Sequence, residues 1–129
     1  MQHPAAPLRL VLASSLHRPG GDSHASQRME ADMIIEIECM AHPPGTADDP
    51  YRHIDAAIAV VQQSGLNYEV SALGTTVEGQ PDALWALARR IHEACLESGA
   101  ESLLTLVKFE QTRDPARQPT MDSLTAKFR

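Results

Sequence analysis

The sequence lacks the features that mark several large classes of protein. It has only two cysteines, Cys39 and Cys95, which form no C-x-x-C pair; this argues against a structural zinc site or a dithiol redox motif. No apolar run approaches the roughly 20 residues that cross a bilayer. The formal net charge of −6 argues against nucleic-acid binding, which requires a basic surface. Nucleophile-elbow and phosphate-loop motifs are also missing. We therefore expect a cytoplasmic protein with reduced thiols, no metal, and neither a membrane nor a nucleic-acid partner.

The sequence does contain enough apolar residues for one folded domain, preceded by a segment of different character. Of its 129 residues 43% are apolar, which suffices for a single packed core. Residues 1–32 show only weak patterning and their charges cancel. We expect them to be a flexible extension, or the product of a wrongly set start codon, and we place the folded domain at residues 33–129.

Two segments of the chain repeat one pattern, in which an amphipathic helix ends at Ser-Gly and an apolar strand follows. The two glycines are Gly65 and Gly99. Glycine accepts the left-handed conformation that often ends a helix. Each helix is preceded by a strand of its own, so the order is β-α-β-β-α-β, the ferredoxin-like arrangement. We predict an α+β fold with a four-stranded antiparallel sheet, helices on one face, and a short C-terminal helix.

The element boundaries follow from capping and turn residues. Asp49 and Pro50 have the residue types of an N-cap and a first helical position, and Pro81 opens the second helix in the same way. The terminal helix is predicted to begin at Pro119 and Thr120. The predicted strands cover residues 33–40, 67–73, 75–78 and 102–109. Right-handed crossovers place the third strand between the first and second, and the fourth beyond the first.

Strand alternation assigns each side chain to one face of the sheet. Ile35, Ile37 and Val77 should face the helices. The opposite face then carries Ile34, Glu36, Glu38, Thr76, Glu78, Leu104, Leu106 and Lys108. A solvated face needs no such apolar side chains, and a dry interface does not tolerate unpaired carboxylates. We therefore expect a second subunit against this face and a polar pocket for a cationic or amine-bearing ligand. The alternative is that Lys108 bridges a glutamate and the carboxylates are merely solvated.

Three residues outside these strands also receive an interpretation. His53 and His92 lie on the predicted helices, where surface or capping roles are expected rather than metal ligation. Trp85 flanks the apolar stripe of the second helix, so we expect it to cover the edge of the sheet or a subunit contact.

Several motifs together resemble the thiamine-binding protein family. The most specific are S-G-L-N-Y-E-V at residues 64–70 and G-T-T-V-E-G at residues 74–79. Weaker ones lie at residues 33–38, 43–46 and 118–121, so the resemblance runs from Met33 to the C-terminus. Two features depart from the family pattern: the leader of residues 1–32 and the His42-Pro43-Pro44 loop.

The resemblance implies a ferredoxin-like fold with an added C-terminal helix, and subunits that pair through their sheets into a dimer of dimers. It implies a ligand, thiamine or its hydroxymethylpyrimidine moiety, with no established catalytic activity. It also adds Thr75 of the G-T-x-x-E-G strand to the candidates. The predicted ligand-binding residues are Glu36, Glu38, Thr75, Thr76, Glu78 and Lys108.

Three functions therefore remain open from the sequence. The first is non-enzymatic binding of thiamine or hydroxymethylpyrimidine between paired sheets, with no required cofactor. The glutamates would then accept from the amino group or neutralise the cation, while Thr76 orients the ring and Leu104 and Leu106 pack on it. The second is an enzyme acting on a small amine or heteroaromatic compound, with Glu36 or Glu38 as base and Lys108 as acid. The third is a structural oligomerisation module without a ligand.

Overall fold

The computed structural model describes residues 32–129, and their architecture is the predicted ferredoxin-like fold. The strands are β1 (Met33–His42), β2 (Asn67–Val70), β3 (Thr75–Gly79) and β4 (Ser102–Glu110). The helices are α1 (Arg52–Gln63), α2 (Pro81–Ser98) and the short α3 (Met121–Thr125), with 3-10 turns at Pro115–Arg117 and Ala126–Phe128. The sheet order β2-β3-β1-β4 confirms the predicted topology. The prediction for the N-terminal extension lies, apart from Asp32, outside the described residues.

Strand β1 extends two residues beyond its predicted end, to His42, and several other boundaries differ by one or two residues. Two further differences arise because local hydrogen bonds compete for the same residues. The Asp49 carbonyl accepts from the backbone N–H groups of Thr46 (2.9 Å) and Arg52 (3.1 Å), so Asp49 closes a turn and does not cap the helix. The first helix therefore begins at Arg52. Strand β2 ends at Val70, earlier than predicted, because residues 71–74 form a turn. By contrast, α2 begins at Pro81 as predicted.

The hydrophobic core lies between the sheet and the two long helices. It contains Met33, Ile35, Ile37 and Val77 from the sheet, Ala57 and Val61 from α1, and Leu84, Leu87, Ile91 and Cys95 from α2. Each large apolar side chain buried in this way contributes roughly 1.5–3 kcal/mol to folding. The predicted division of strand residues between the two faces is therefore confirmed for β1 and β3. Within residues 32–129, no helix has both the length and the hydropathy needed to cross a membrane.

The prediction of a surface or capping role is wrong for His53. Its side chain is only 3% exposed, and its Nδ1 lies 2.7 Å from the Ser98 hydroxyl. Its backbone N–H donates to the Pro44 carbonyl at 2.9 Å. A buried polar ring needs such partners, and here they join the start of α1 to the end of α2.

Trp85 stacks on Phe109 of β4, with ring centroids 4.1 Å apart. Because β4 is an outer strand of the sheet, this contact agrees with the predicted role of Trp85 at the sheet edge.

Candidate functional site

The structure places five of the six predicted site residues on the face opposite α1 and α2. In the antiparallel ladder Glu36 lies between Thr76 and Lys108, so these three share one face. Glu38 and Glu78 follow by the same alternation. Thr75 lies on the other face, beneath the helices, where it is 7% exposed. The six residues therefore do not meet in one pocket of a single subunit.

Glu36 and Lys108 are paired within the subunit. The Lys108 Nζ lies 3.1 Å from the Glu36 Oε1, and the two side chains are 83% and 42% exposed. An ion pair this exposed contributes at most about 1 kcal/mol. The bridge from Lys108 to a glutamate, one part of the alternative interpretation, is thus present within the subunit.

Glu78 holds the C-terminal helix in place. Its Oε1 accepts from the Met121 backbone N–H at 2.7 Å, and its Oε2 accepts from the Asn67 side-chain amide at 2.6 Å. Arg129 adds an ion pair to Glu69, also on this face, at 3.0 Å. Both Glu78 oxygens thus already have donors, which leaves this carboxylate less available to a ligand than predicted.

Because α3 is tied to β2 and β3, residues 32–129 cover part of this face near β3 and leave its β1–β4 half open. Ile34, next to Glu78 in the ladder, is just 8% exposed. On the other half Met40, Leu104 and Leu106 are 41%, 61% and 46% exposed. We call this half the uncovered strip; it consists of Glu36, Glu38, Met40, Leu104, Leu106 and Lys108.

A cavity of about 240 Å³ lies on the opposite side of the sheet, against α1 and the β2–β3 turn. We call it the helix-side cavity. Its walls are largely apolar, and its polar lining comes from the strand ends and the turn. Glu38 borders the cavity as part of β1, although alternation assigns its side chain to the opposite face. The other lining residues with polar or thiol side chains are Cys39, Ser71 and Thr75; the apolar ones include Ile37, Ile54, Ile58, Val61, Val70 and Ile91.

The cavity exists because β1 is longer than the strand beside it. Strand β3 pairs with β1 only from Gly79 back to Thr75, which lies opposite Ile37. Strand β1 continues to His42, still paired with β4 on its other side. Within residues 32–129, no strand pairs with β1 from Glu38 onward on the β3 side. This stretch leaves main-chain donors and acceptors beside the cavity.

Thr75 places a buried hydroxyl in the lining of the cavity. The neighbouring Ser71 hydroxyl donates to the Gly74 carbonyl at 2.9 Å. The side-chain hydrogen bonds among residues 32–129 include none to the Thr75 hydroxyl. A buried hydroxyl normally has a partner, so Thr75 is the group in this cavity best placed to bond a ligand.

Of the predicted residues, Thr75 and Glu38 border the helix-side cavity, and of these two only Thr75 lies on the helix-facing side of the sheet. The sequence analysis missed Ile54, Ile58 and Ser71, which carry no chemical motif. The signal that pointed to this place was the G-T-x-x-E-G strand, whose Thr75 lies at the cavity. Among residues 32–129, no group of three or more His, Cys, Asp or Glu side chains is placed to hold a metal ion.

Known proteins resemble this chain in both sequence and fold. A UPF0045 protein of Clostridium perfringens is 30% identical over 79 residues, which cover 61% of this chain and 80% of the relative. A UPF0045 protein of Methanothermobacter thermautotrophicus is 29% identical over 86 residues, or 65% and 87% of the two chains. A solved domain of unknown function from Bacillus cereus is 35% identical, with a TM-score of 0.68, covering 78% of this chain and 92% of that one.

A second solved structure, from Thermotoga maritima, is of a protein provisionally described as acting in thiamine biosynthesis or salvage. It is 21% identical with a TM-score of 0.63, covers 76% of this chain and 99% of that one, and supports the fold alone. The sequence profile described as thiamine-binding protein matches residues 37–128, well over half of the chain. This chain therefore belongs to the thiamine-binding protein family.

Proposed function

We propose that this protein binds thiamine, or its hydroxymethylpyrimidine moiety, without catalysing a reaction, and that the pyrimidine ring enters the helix-side cavity. The observation that carries the proposal is the cavity itself, about 240 Å³ with apolar walls and the buried Thr75 hydroxyl in its lining. Membership of the thiamine-binding protein family supports the ligand class.

The size of the cavity favours the pyrimidine ring alone over the whole thiamine molecule. Ligand pockets in proteins typically measure roughly 300–1,000 Å³, so a cavity of about 240 Å³ suits a fragment. An aminopyrimidine offers ring faces to the isoleucines, and its nitrogens and amino group offer acceptors and donors. The Thr75 hydroxyl and the β1 backbone after Ile37 match these polar groups. The cationic thiazolium would then lie nearer the mouth of the cavity.

The interface pocket predicted from the sequence is the rival location for the same ligand. It requires a second subunit against the uncovered strip, whose three exposed apolar side chains favour such pairing and the proposed dimer of dimers. Three of the six predicted residues lie on that strip, and two of those already form an ion pair. Family membership supports binding as the function, and non-enzymatic binding is the proposal retained here.

Adjacent threonines on opposite faces distinguish the two locations. Thr75→Val and Thr76→Val make the same nearly isosteric change, one under the helices and one on the opposite face. Binding of thiamine and hydroxymethylpyrimidine should be measured by calorimetry on the full chain and on both variants. Loss of a hydrogen bond worth about 1 kcal/mol predicts a roughly fivefold weaker Kd for Thr75→Val and no change for Thr76→Val.

Each other outcome has a definite meaning. If only Thr76→Val weakens binding, the ligand lies on the opposite face of the sheet and the cavity proposal is wrong. If neither compound gives heat above dilution with the unmodified protein, the proposed function itself fails. Circular dichroism of both variants checks that the fold is retained.

A further inference from the structure

The two cysteines of the chain, distant in sequence, meet inside the fold. Cys39 lies on the helix-facing side of β1, where it packs against the buried core that includes Cys95 from the last turns of α2. The two thiols are close enough for each to shift the pKa of the other. Cys95 is fully buried, whereas Cys39 is half-buried and lines the helix-side cavity. The sequence spacing contains no C-x-x-C motif; the two cysteines are instead brought together by the packing of a helix on a strand.

Hydrogen-bond donors converge on the sulfur of Cys39. The Thr105 hydroxyl, directly across the β1–β4 ladder, donates to it at 3.8 Å, and the His92 Nδ1 lies 2.7 Å from that hydroxyl oxygen. Since the hydroxyl proton points at sulfur, the hydroxyl oxygen accepts from His92 Nδ1–H. The chain of donors thus runs from α2 through β4 to Cys39.

These contacts divide the roles of the two thiols. The hydrogen bond from Cys95, assisted by Thr105, lowers the pKa of Cys39 to about 7, although burial and the nearby Glu38 charge act in the opposite direction. The same hydrogen bond, together with burial, raises the pKa of Cys95. The lowered pKa of Cys39 favours its thiolate at neutral pH, whereas the raised pKa of Cys95 keeps that thiol protonated.

We propose that Cys39 and Cys95 form a reversible oxidation site, in which a peroxide reaches Cys39 through the helix-side cavity and Cys95 closes an internal disulfide. In the first step the Cys39 thiolate attacks one oxygen of hydrogen peroxide. The O–O bond breaks, the second oxygen leaves as water after taking up a proton from solvent, and Cys39 becomes a sulfenic acid. In the second step the Cys95 sulfur attacks Cys39. The S–O bond breaks, and the hydroxyl leaves as a second water with the Cys95 proton. Overall the two thiols lose two electrons and the peroxide gains them.

The burial of Cys95 determines that the disulfide is internal. A fully buried thiol cannot be reached by a second protein molecule, whereas the sulfur it already contacts need only approach to the S–S bond length of about 2.05 Å. Cys95 lies near the C-terminal end of α2, which ends at Gly99. The proposal does not depend on any ligand in the cavity.

Peptide mapping of the full chain tests the disulfide directly. The reduced protein is treated with stoichiometric hydrogen peroxide at pH 7, blocked with iodoacetamide and digested with trypsin without reductant. The expected product joins the peptides 29–52 and 91–108, has lost two hydrogens, and separates on adding dithiothreitol. Cross-links between two protein molecules, or a sulfinic acid at Cys39 beside an unmodified Cys95, would overturn the proposal.

A second measurement tests the assignment of roles without requiring a disulfide. The rate of iodoacetamide alkylation of Cys39, followed by mass spectrometry, should have its midpoint near pH 7. Cys95→Ala removes the main donor and should lower that rate at pH 7 by about tenfold while moving the midpoint upward. Thr105→Val should act in the same direction. A midpoint at the ordinary thiol value in the unmodified protein would refute the proposed division of roles.

Discussion

Replacing Glu78 with alanine distinguishes a structural carboxylate from a ligand-binding one. The side chain accepts from the Met121 backbone N–H at 2.7 Å and from the Asn67 amide at 2.6 Å. Its removal leaves both donors without their partner and frees the first turn of α3. Glu78→Gln is the milder change, because the Asn67 amide can rotate to accept from the new amide while Met121 keeps its acceptor.

The expected loss of stability in Glu78→Ala follows from the two charge-assisted hydrogen bonds that Glu78 accepts. Each is worth roughly 1.5–3 kcal/mol when buried, and Glu78 is only half-buried, so we expect Glu78→Ala to lower the free energy of unfolding by about 2 kcal/mol. For a domain of this size that corresponds to a fall in Tm of about 10 °C. Glu78→Gln should cost less than half as much.

Urea unfolding of each variant at one fixed protein concentration measures these changes, and calorimetry measures thiamine binding below the transition. Glu69→Ala is the matched control, because its ion pair with Arg129 is more than half exposed and should contribute less than about 1 kcal/mol. If Glu78→Ala abolishes binding with unchanged stability, the carboxylate serves the ligand and our structural reasoning is wrong.

Three further predictions concern other parts of the fold. Gly99→Ala should lower the free energy of unfolding by more than about 2 kcal/mol, because the φ of Gly99 is 131° and a Cβ there would lie 2.9 Å from the His53 ring. Gly65→Ala should lower it by only about 1 kcal/mol, because Gly65 has a φ of 79° but open space around it. Urea unfolding measures both changes. Leu106→Lys should lower the assembly state in analytical ultracentrifugation while the circular dichroism of the subunit is retained, because it puts charge on the uncovered strip. Finally, the pKa of Cys39 is lowered in the folded protein from the unfolded value of 9.0 to about 7, so the unfolded chain binds more protons between these pH values. The free energy of unfolding should therefore rise from about pH 7 to 9, and Cys39→Ala should remove that rise in urea titrations.

The overall fold was predictable because its determinants are local. Alternation in β1 places Ile35 and Ile37 under the helices and Glu36 between them on the other face, and the two-residue period of a strand gives this without tertiary information. Gly65 and Gly99 each end a helix with a positive φ, as the repeated pattern required. Given two strand–helix–strand units, the handedness of the crossovers then fixes the order of the strands.

The site was harder to predict because it depends on differences between elements that are distant in sequence. The helix-side cavity arises where β1 runs past the start of β3, and no local pattern gives the relative ends of two strands. The contact between Cys39 and Cys95 likewise depends on how α2 lies over β1. The role of Glu78 was missed because strand parity gives a side chain its face but not its hydrogen-bond partner.

Beyond Ile37, the side of β1 that has no paired strand in the described part of the chain affects how ligand selectivity can change at this cavity. Main-chain groups keep their positions whatever side chain a residue carries, so alanine scanning would leave their share of the binding free energy undetected. The isoleucines of the wall can be exchanged to admit or reject substituents on a bound ring. In the proposed binding mode, the backbone donors and acceptors that contact the ring would stay constant through all such exchanges.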